Sequence, residues 1–268
     1  MIQGNNPNHV DDERKAFVDI FRRGTWNPQV RSGHGARISE THHVRQIIPQ
    51  VIQTYNIRSF LDIPCGDCTF MSLLFDRIPG YVGADVVPDI IQQNRRKFPH
   101  IPFQVMSAMT DRLPAVDLIF CRDLLVHFNT RQILAILVNF KQSRSRYLLT
   151  TTFRQPHTEL DIRAAGPRRW HPINLEELLK SSPPPIQMFS EHHRDYPKYL
   201  GLWDLSNMVV PLPSHLPPFP VFKRAKKKKP PHSTRKQPTP RTTQQAPSRT
   251  KPSSSRRRRY RKMLLGRK

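Results

Sequence analysis

Residues 60–70, which read Phe-Leu-Asp-Ile-Pro-Cys-Gly-Asp-Cys-Thr-Phe, constrain the fold of this chain more than any other stretch. The stretch begins apolar, as a buried strand does, passes an acidic residue, and turns at Pro64, Cys65 and Gly66 into an apolar run typical of a helix. A strand, a tight glycine-containing turn and a helix form the nucleotide pocket of an open α/β sheet. Gly66 allows a ligand to approach the backbone closely, because it has no Cβ atom. Residues 60–70 therefore predict a ligand site at the carboxyl end of a first strand.

Apolar stretches alternate along the chain in a pattern that extends this prediction to a whole sheet. Strands are predicted near residues 58–63, 81–85, 102–106, 117–121 and 146–152. Helices are predicted near residues 39–55, 69–77, 88–97, 129–142 and 174–180. Late apolar stretches near 186–189 and 199–203 are predicted to close the sheet as a hairpin. The predicted fold class is therefore α/β, a Rossmann-like doubly wound sheet that is mostly parallel and has helices on both faces.

Acidic residues end the first two predicted strands. Asp62 ends the first, and Asp85 ends the second 23 positions later. An acid roughly 20 residues beyond the first turn, at the end of the second strand, is placed to accept hydrogen bonds from ribose hydroxyls. Asp85 is thus the strongest single candidate for a nucleoside-binding residue, whereas Asp62 could also be a structural acid that caps the turn.

Later motifs give the chain a resemblance to a known family. Residues 117–121 lead into Arg-Asp-Leu-Leu-Val-His at 122–127. Together with residues 60–70, this motif resembles class I S-adenosylmethionine-dependent methyltransferases, in particular a group with Leu-Asp-x-Pro-Cys-Gly-Asp and Cys-Arg-Asp-x-Leu-Val-His motifs. Further pieces at 147–153, 170–175 and 200–203 resemble the same group, and the likeness covers about residues 26–205. It implies S-adenosylmethionine as the cofactor, an antiparallel last strand, and methyl transfer to an acceptor that the sequence does not identify.

The resemblance also implies which residues bind the cofactor. Asp62 would lie near the cofactor's amino group, and Asp85 would accept hydrogen bonds from its ribose. Ser107 stands where the group usually has an acid near the adenine. The floor under the methionine and ribose portions would be formed by the turn residues Pro64, Cys65, Gly66 and Asp67.

Three residues at the end of the fourth predicted strand would face the transferred methyl group: Cys121, Arg122 and Asp123. Asp123 is predicted to contact either the cofactor or the acceptor. His127 could be the base that a hydroxyl or a protonated amine acceptor requires, or a structural histidine that ties the loop to the sheet. Asp123 and His127 are therefore the candidate catalytic residues.

Two other features near the predicted pocket have alternative interpretations. Residues 31–36 resemble the Ser-Gly-x-Gly-Ser segment of the same group and predict a mobile flap over a ligand, or a plain surface turn. Cys65 and Cys68 form a Cys-x-x-Cys pair, but a zinc site normally needs four ligands and the chain has no second pair. No metal is predicted, and small packing residues are the better account of the two cysteines.

The positive charge of the chain is concentrated at one end. The chain has 44 Lys and Arg against 20 Asp and Glu, a net charge of +24, and 19 of the basic residues lie in the acid-free residues 220–268. Residues 1–219 thus hold 25 basic and 20 acidic residues, a net charge of +5. We predict four parts: an N-terminal extension (1–25), a methyltransferase domain (26–210), a Pro-rich linker (211–222) and a disordered basic tail (223–268).

The basic tail predicts a polyanionic partner or a targeting role. Its blocks of Lys and Arg are typical of nuclear-import signals and of arms that bind nucleic acid by counterion release. A solubilising tail without a partner is the remaining interpretation. The alternative to an enzyme is a non-enzymatic nucleic-acid-binding protein with an inactive methyltransferase-like domain, which Ser107 and the size of the tail favour.

The compartment is predicted from what the sequence lacks. Three cysteines without a disulfide framework predict a reducing, intracellular compartment, which would be the nucleus in a eukaryotic host. The polar residues 1–6 do not resemble a secretory signal. No run approaches 18 consecutive apolar residues, so no membrane partner is predicted.

Overall fold

A computed structural model describes residues 8–26, 31–154, 170–192 and 197–211 of the chain, and side chains from Arg14 onward. The predicted basic tail at 223–268, and all but the first residue of the predicted linker at 211–222, lie outside the described residues.

Within the described residues, seven strands form one sheet, as the alternation of apolar stretches predicts. The strands are β1 (Phe60–Asp62), β2 (Tyr81–Asp85), β3 (Phe103–Val105), β4 (Leu118–Cys121), β5 (Tyr147–Phe153), β6 (Gln187–Ser190) and β7 (Lys198–Asp204). Their order across the sheet is β3-β2-β1-β4-β5-β7-β6. Strands β1 to β5 are parallel, and β7 pairs antiparallel with both β5 and β6. The predicted fold class is confirmed, including the late hairpin and the antiparallel last strand.

Helices cover both faces of this sheet. They are α1 (Asn8–Arg23), α2 (His42–Tyr55), α3 (Pro88–Lys97), α4 (Thr130–Gln142) and the short α5 (Leu175–Leu178). None of the helices in the described ranges is both long and apolar enough to cross a membrane.

Apolar side chains on the two faces of β1 and β4 build two core layers. Phe60 and Phe120 pack with the inner face of α2 on one side of the sheet. Leu61 and Ile119 pack with α4 on the other side. Successive strand residues point to opposite faces, and here both faces are covered, so every residue of β1 and β4 is buried. The polar side chains of the site therefore begin where these strands end.

The predicted helix near 69–77 is replaced by two 3₁₀ turns, Met71–Leu73 and Phe75–Arg77. At its beginning, Asp67 Oδ1 accepts hydrogen bonds from the backbone N–H and the hydroxyl of Thr69, and Cys68 has a φ of +56°, which is not a helical conformation. At its end, Pro79 disfavours the helical conformation for Ile78, which is extended. The chain is therefore not helical at either end of this segment.

Candidate functional site

A cavity of about 570 Å³ opens at the carboxyl ends of β1, β2 and β4. Strand β1 has β2 on one side and β4 on the other, so the chain reverses its direction of winding at this point. Open α/β sheets bind their ligands in the crevice at this reversal. The volume lies within the range of small-molecule sites.

The Gly66 turn and the Asp85 carboxylate hold each other in place at the floor of the cavity. Asp85 Oδ2 accepts a hydrogen bond from the Gly66 N–H (3.1 Å), and its Oδ1 accepts one from the Val87 N–H (2.9 Å). Gly66 has a φ of +54°, a conformation that favours glycine. Burial raises the pKa of Asp85 to about 6, although its backbone hydrogen bonds oppose the rise. Asp85 is thus a fixed carboxylate that is still ionised near neutral pH.

Asp62, one strand away, is in a different protonation state. Its Oδ2 accepts a hydrogen bond from the hydroxyl of Tyr81 (2.7 Å), and both residues are buried. Burial raises the pKa of Asp62 to about 8, more than the Tyr81 hydrogen bond lowers it. At neutral pH the protonated form therefore predominates in the absence of a cationic ligand.

Asn94, on the buried side of α3, stabilises the Gly66 turn through its side-chain amide. Its side-chain amide donates to the Gly66 carbonyl (2.7 Å) and lies 3.8 Å from Cys65 Sγ and 3.6 Å from Cys68 Sγ. Burial raises the pKa of Cys65, so the thiol stays protonated, as a packing residue requires. Sequence reasoning missed Asn94, and its only signal was a polar residue on the apolar face of a predicted helix.

The hydroxyl oxygen of Ser107 is engaged in hydrogen bonds within the loop that follows β3. Its Oγ accepts hydrogen bonds from the N–H groups of Met109 (3.2 Å) and Thr110 (3.3 Å). Its own N–H donates to Asp111 Oδ2 (2.8 Å), so the loop is closed from both sides. Ser107 nevertheless lines the cavity.

Four charged side chains, which we call the charge ring, lie at the end of the cavity beyond β4: Arg122, Asp123 and Lys198 line the cavity, and Glu191 is buried behind them. Arg122 Nη2 lies 2.7 Å from Glu191 Oε2, and its Nη1 lies 3.2 Å from Asp123 Oδ2. Lys198 Nζ lies 2.7 Å from Asp123 Oδ2 and 3.3 Å from Glu191 Oε2. Each cation thus contacts both anions, and the ring has no net charge.

The charge ring keeps Asp123 ionised. Burial alone would raise the pKa of Asp123, but Arg122 and Lys198 outweigh it and hold the pKa well below the ordinary value. Asp123 also has a φ of +56°, and its N–H donates to Thr151 Oγ1 (2.9 Å). Its carboxylate lines the cavity and is a quarter exposed. A carboxylate held so firmly ionised is a hydrogen-bond acceptor and a weak proton acceptor.

The loop at 31–36 joins the two ends of the cavity. Ser32 Oγ accepts a hydrogen bond from the Asp67 N–H (2.7 Å), and the Gly35 carbonyl accepts one from Arg122 Nη1 (2.8 Å). A Cβ atom on Gly35 would lie 2.8 Å from Asp123 Oδ2, so only glycine fits there without displacement. The loop lies against the cavity, where the sequence predicts either a mobile flap or a plain surface turn.

Comparisons with solved structures agree with the mostly parallel α/β fold described above. Magnesium protoporphyrin IX methyltransferase from Synechocystis PCC 6803, with bound S-adenosylhomocysteine, aligns at a TM-score of 0.53 and 14% identity over 72% of this chain and 98% of that one. The N-methyltransferase NodS from Bradyrhizobium japonicum WM9, also with S-adenosylhomocysteine, aligns at 0.52 and 15% over 70% and 98%. The chain has the class I methyltransferase fold. Neither a scan against protein-family models nor a search of curated proteins finds a match.

Within this methyltransferase fold, eight of the ten predicted site residues line the cavity: Asp62, Pro64, Cys65, Gly66, Asp85, Ser107, Asp123 and His127. Asp67 and Cys121 do not. The Asp67 carboxylate is turned toward Thr69. Cys121 is fully buried in the core, and it is the carbonyl of this residue that accepts a hydrogen bond from Thr150.

His127 lies among aromatic rings at the wall of the cavity. It stacks on Trp26 with ring centroids 5.2 Å apart and planes inclined by 17°, and the edge of Phe17 meets it at 6.1 Å. This packing fits the structural interpretation of His127, and its place on the cavity wall fits the chemical one.

Glu191 and Lys198 are functional candidates that sequence reasoning missed. They lie on either side of the hairpin connection, and β6 and β7 bring them to the end of β4. The available signal was one acid and one base at the adjacent ends of two predicted strands. Among the described residues, no group of three or more His, Cys, Asp or Glu side chains is arranged to hold a metal ion.

Proposed function

We propose that this protein is an S-adenosylmethionine-dependent methyltransferase. The observation that carries the proposal is the buried Asp85 carboxylate, fixed by the N–H groups of Gly66 and Val87 at the reversal point of the sheet. A carboxylate held in this way can accept both hydroxyls of a ribose. The two methyltransferases of the same fold hold S-adenosylhomocysteine, the demethylated product of this cofactor.

The remaining cofactor contacts follow from charge and position. Asp62 would meet the cationic amino group of the cofactor, which would favour its ionised form and release a proton on binding. The Gly66 turn would lie under the methionine and ribose portions. The loop at Ser107 would border the adenine.

The charge ring and His127 would serve the acceptor. Methyl transfer is an in-line displacement: a lone pair of the acceptor forms the new bond to the methyl carbon, the carbon–sulfur bond breaks, and its electron pair stays on sulfur. Positioning and exclusion of water supply most of the rate enhancement in such a reaction. Asp123 would orient the acceptor through a hydrogen bond. His127 would take the acceptor's proton, where the acceptor has one to lose.

Replacement of Asp85 tests the cofactor assignment. We expect Asp85→Ala to weaken S-adenosylmethionine binding by about 1–3 kcal/mol, because the ribose loses its hydrogen-bond acceptor. Isothermal titration calorimetry on the wild type and the variant measures the change. Asp76→Ala removes an exposed carboxylate outside the cavity and is the matched control, with affinity expected to be unchanged.

Two outcomes of this titration would count against the proposal. Equal affinities for the wild type and Asp85→Ala would remove the ribose assignment. A wild-type protein that binds no S-adenosylmethionine would favour the non-enzymatic alternative, in which the domain is inactive and the basic tail carries the function.

The tail at 223–268 is proposed to bind nucleic acid or an import receptor. The support is its charge: 19 Lys and Arg with no acid. Neutralised phosphates release counterions, so such a segment binds polyanions with a strong dependence on salt.

Deletion of residues 223–268 tests this role. We expect the full chain to bind single-stranded oligonucleotides with an affinity that falls steeply with salt, and the deletion to remove that steep dependence. Fluorescence anisotropy over a salt series measures the slope, and retained S-adenosylmethionine binding shows that the shortened chain is folded. A steep slope that survives the deletion would assign the binding to the domain instead.

A further inference from the structure

The exposed part of the cavity wall differs in character from its interior. Among the described lining residues, six are exposed: Arg14, Arg31, His34, Val105, Asp111 and Trp170. Val105 and Asp111 lie at β3 and the loop after it, and the Asp111 carboxylate accepts from the N–H of Ser107. The other four are three basic side chains, Arg14, Arg31 and His34, and one tryptophan, Trp170. An opening of this composition is suited to an anionic ligand that has a flat, apolar face.

Trp170 is an unusual residue to find exposed. It is 43% exposed, and it is one of three tryptophans in the chain, of which Trp203 is buried in the core and Trp26 also lines the cavity. Large aromatic surfaces that remain open to solvent in a cavity are typical of ligand-binding sites. Two of the three tryptophans thus face the ligand space.

Trp170 lies at the acceptor end of the cavity. Its ring meets Phe153 edge-on at 5.6 Å, and Phe153 is two residues beyond Thr151, which donates to Asp123 Oδ1 (3.3 Å). The neighbouring residue, His171, donates its N–H to the Val126 carbonyl (3.1 Å), in the turn after Asp123. A planar group stacked on Trp170 would therefore lie at the Asp123 end of the cavity. Asp85, the carboxylate proposed to bind the ribose, lies at the other end.

Basic side chains are also present on the exposed wall of the cavity and beside the end of β5. Arg14 and Arg31 are exposed lining residues, and Arg154, just beyond β5, lies 5.0 Å from the centre of the Tyr199 ring. Single-stranded nucleic acid is recognised by this combination of positive charge along the backbone path and aromatic rings on which bases stack. The sequence independently carries a polyanion-binding signal, since residues 220–268 hold 19 Lys and Arg and no acid.

We infer that the methyl acceptor is a single-stranded nucleic acid, with one base stacked on Trp170 beside Asp123. This inference rests on the proposed methyltransferase function and names its acceptor class. The methyl carbon leaves the sulfonium sulfur of the cofactor and bonds to a nitrogen or oxygen of the strand beside Asp123. The electron pair of the broken bond stays on sulfur, and any proton lost by the acceptor atom passes to His127 or to water.

The test uses the full chain, S-adenosylmethionine labelled in its methyl group, and matched 20-nucleotide probes of single-stranded RNA, single-stranded DNA and the corresponding duplexes. We expect label to enter a single strand and not a duplex. The RNA and DNA arms identify the sugar that the site accepts. Trp170→Ala should lower kcat/KM by about tenfold or more, because base–aromatic stacking is lost, and Trp170→Phe should retain most of the activity.

Controls separate stacking from folding and from charge. Ile186→Ala removes an exposed apolar side chain outside the cavity and should leave kcat/KM unchanged. Affinity for S-adenosylmethionine, measured by calorimetry, should be the same in Trp170→Ala and in the wild type. A loss of cofactor affinity in Trp170→Ala would instead show that the residue serves the cofactor.

Failure of the acceptor inference is distinguishable from failure of the proposed function. Protein that binds S-adenosylmethionine but labels protein or glycan in a cell extract, and neither RNA nor DNA, would overturn the inference and leave the methyltransferase. Labelling of single strands that is insensitive to Trp170→Ala would overturn the stacking role. Absence of cofactor binding would reject the proposed function itself.

Discussion

The variant Arg122→Met should lose about 3–5 kcal/mol of folding free energy, the largest effect that we expect from a single substitution. The guanidinium has hydrogen bonds to Glu191 and to the Gly35 carbonyl, and its side chain is only 6% exposed. Its removal leaves Lys198 as the single cation between the buried carboxylate of Glu191 and the partly buried carboxylate of Asp123. Thermal unfolding followed by circular dichroism should show a melting temperature lower by roughly 6–20 °C.

The double variant Arg122→Met, Glu191→Met is the matched control. It removes one cation and one anion together, so that Lys198 and Asp123 remain as a neutral pair. Replacement of a buried ion pair by apolar side chains is often close to neutral in stability, so we expect the double variant to recover most of the loss. A double variant that is less stable than Arg122→Met would show that the cost comes from packing or from the Gly35 contact, and not from an unpaired buried charge.

Gly66→Ala should lower the affinity for S-adenosylmethionine by tenfold or more. An alanine there would adopt a φ of +54°, and its Cβ atom would overlap the side chain of Ser32. Relief of that overlap moves the turn whose N–H orients Asp85. We expect a stability loss of about 1–2 kcal/mol from the left-handed conformation in addition to the loss of affinity.

Gly80→Ala separates strain from function. Gly80 also has a positive φ, of +58°, and its Cβ atom would lie 2.6 Å from the Arg58 carbonyl oxygen, but it precedes β2 at the end of the sheet opposite the cavity. Both variants should lose stability in thermal unfolding, and calorimetry should show weaker cofactor binding for Gly66→Ala alone. Equal affinities in the two variants would reject the proposed role of the Gly66 turn.

The sheet could be predicted from sequence because its strands are short, apolar and separated by amphipathic helices. The late hairpin followed from apolar stretches near 186–189 and 199–203, and its antiparallel direction from the family resemblance. The segment near 69–77 could not be predicted from apolar content alone. The backbone at its two ends decides its structure: Cys68 has a φ of +56°, and Pro79 restricts Ile78 to an extended conformation.

The cofactor end of the site was predictable to a greater extent than the acceptor end. Asp62, Gly66 and Asp85 lie within 24 residues of sequence, at strand ends that a doubly wound sheet brings together. The charge ring joins Asp123 to Glu191 and Lys198, 68 and 75 positions away. Contacts between residues so far apart depend on the register of the β5–β7 and β6–β7 pairings. That register could not be read from the sequence alone.

The loop at 31–36 has a thermodynamic consequence for the two halves of the cavity. Ser32 is bonded to the turn proposed to lie under the cofactor, and Gly35 is bonded to Arg122 beside the proposed acceptor. A ligand that favours one position of this short segment at either end therefore biases the other end as well. Linkage requires the bias to be reciprocal: whatever factor the first ligand contributes to the affinity of the second, the second returns to the first.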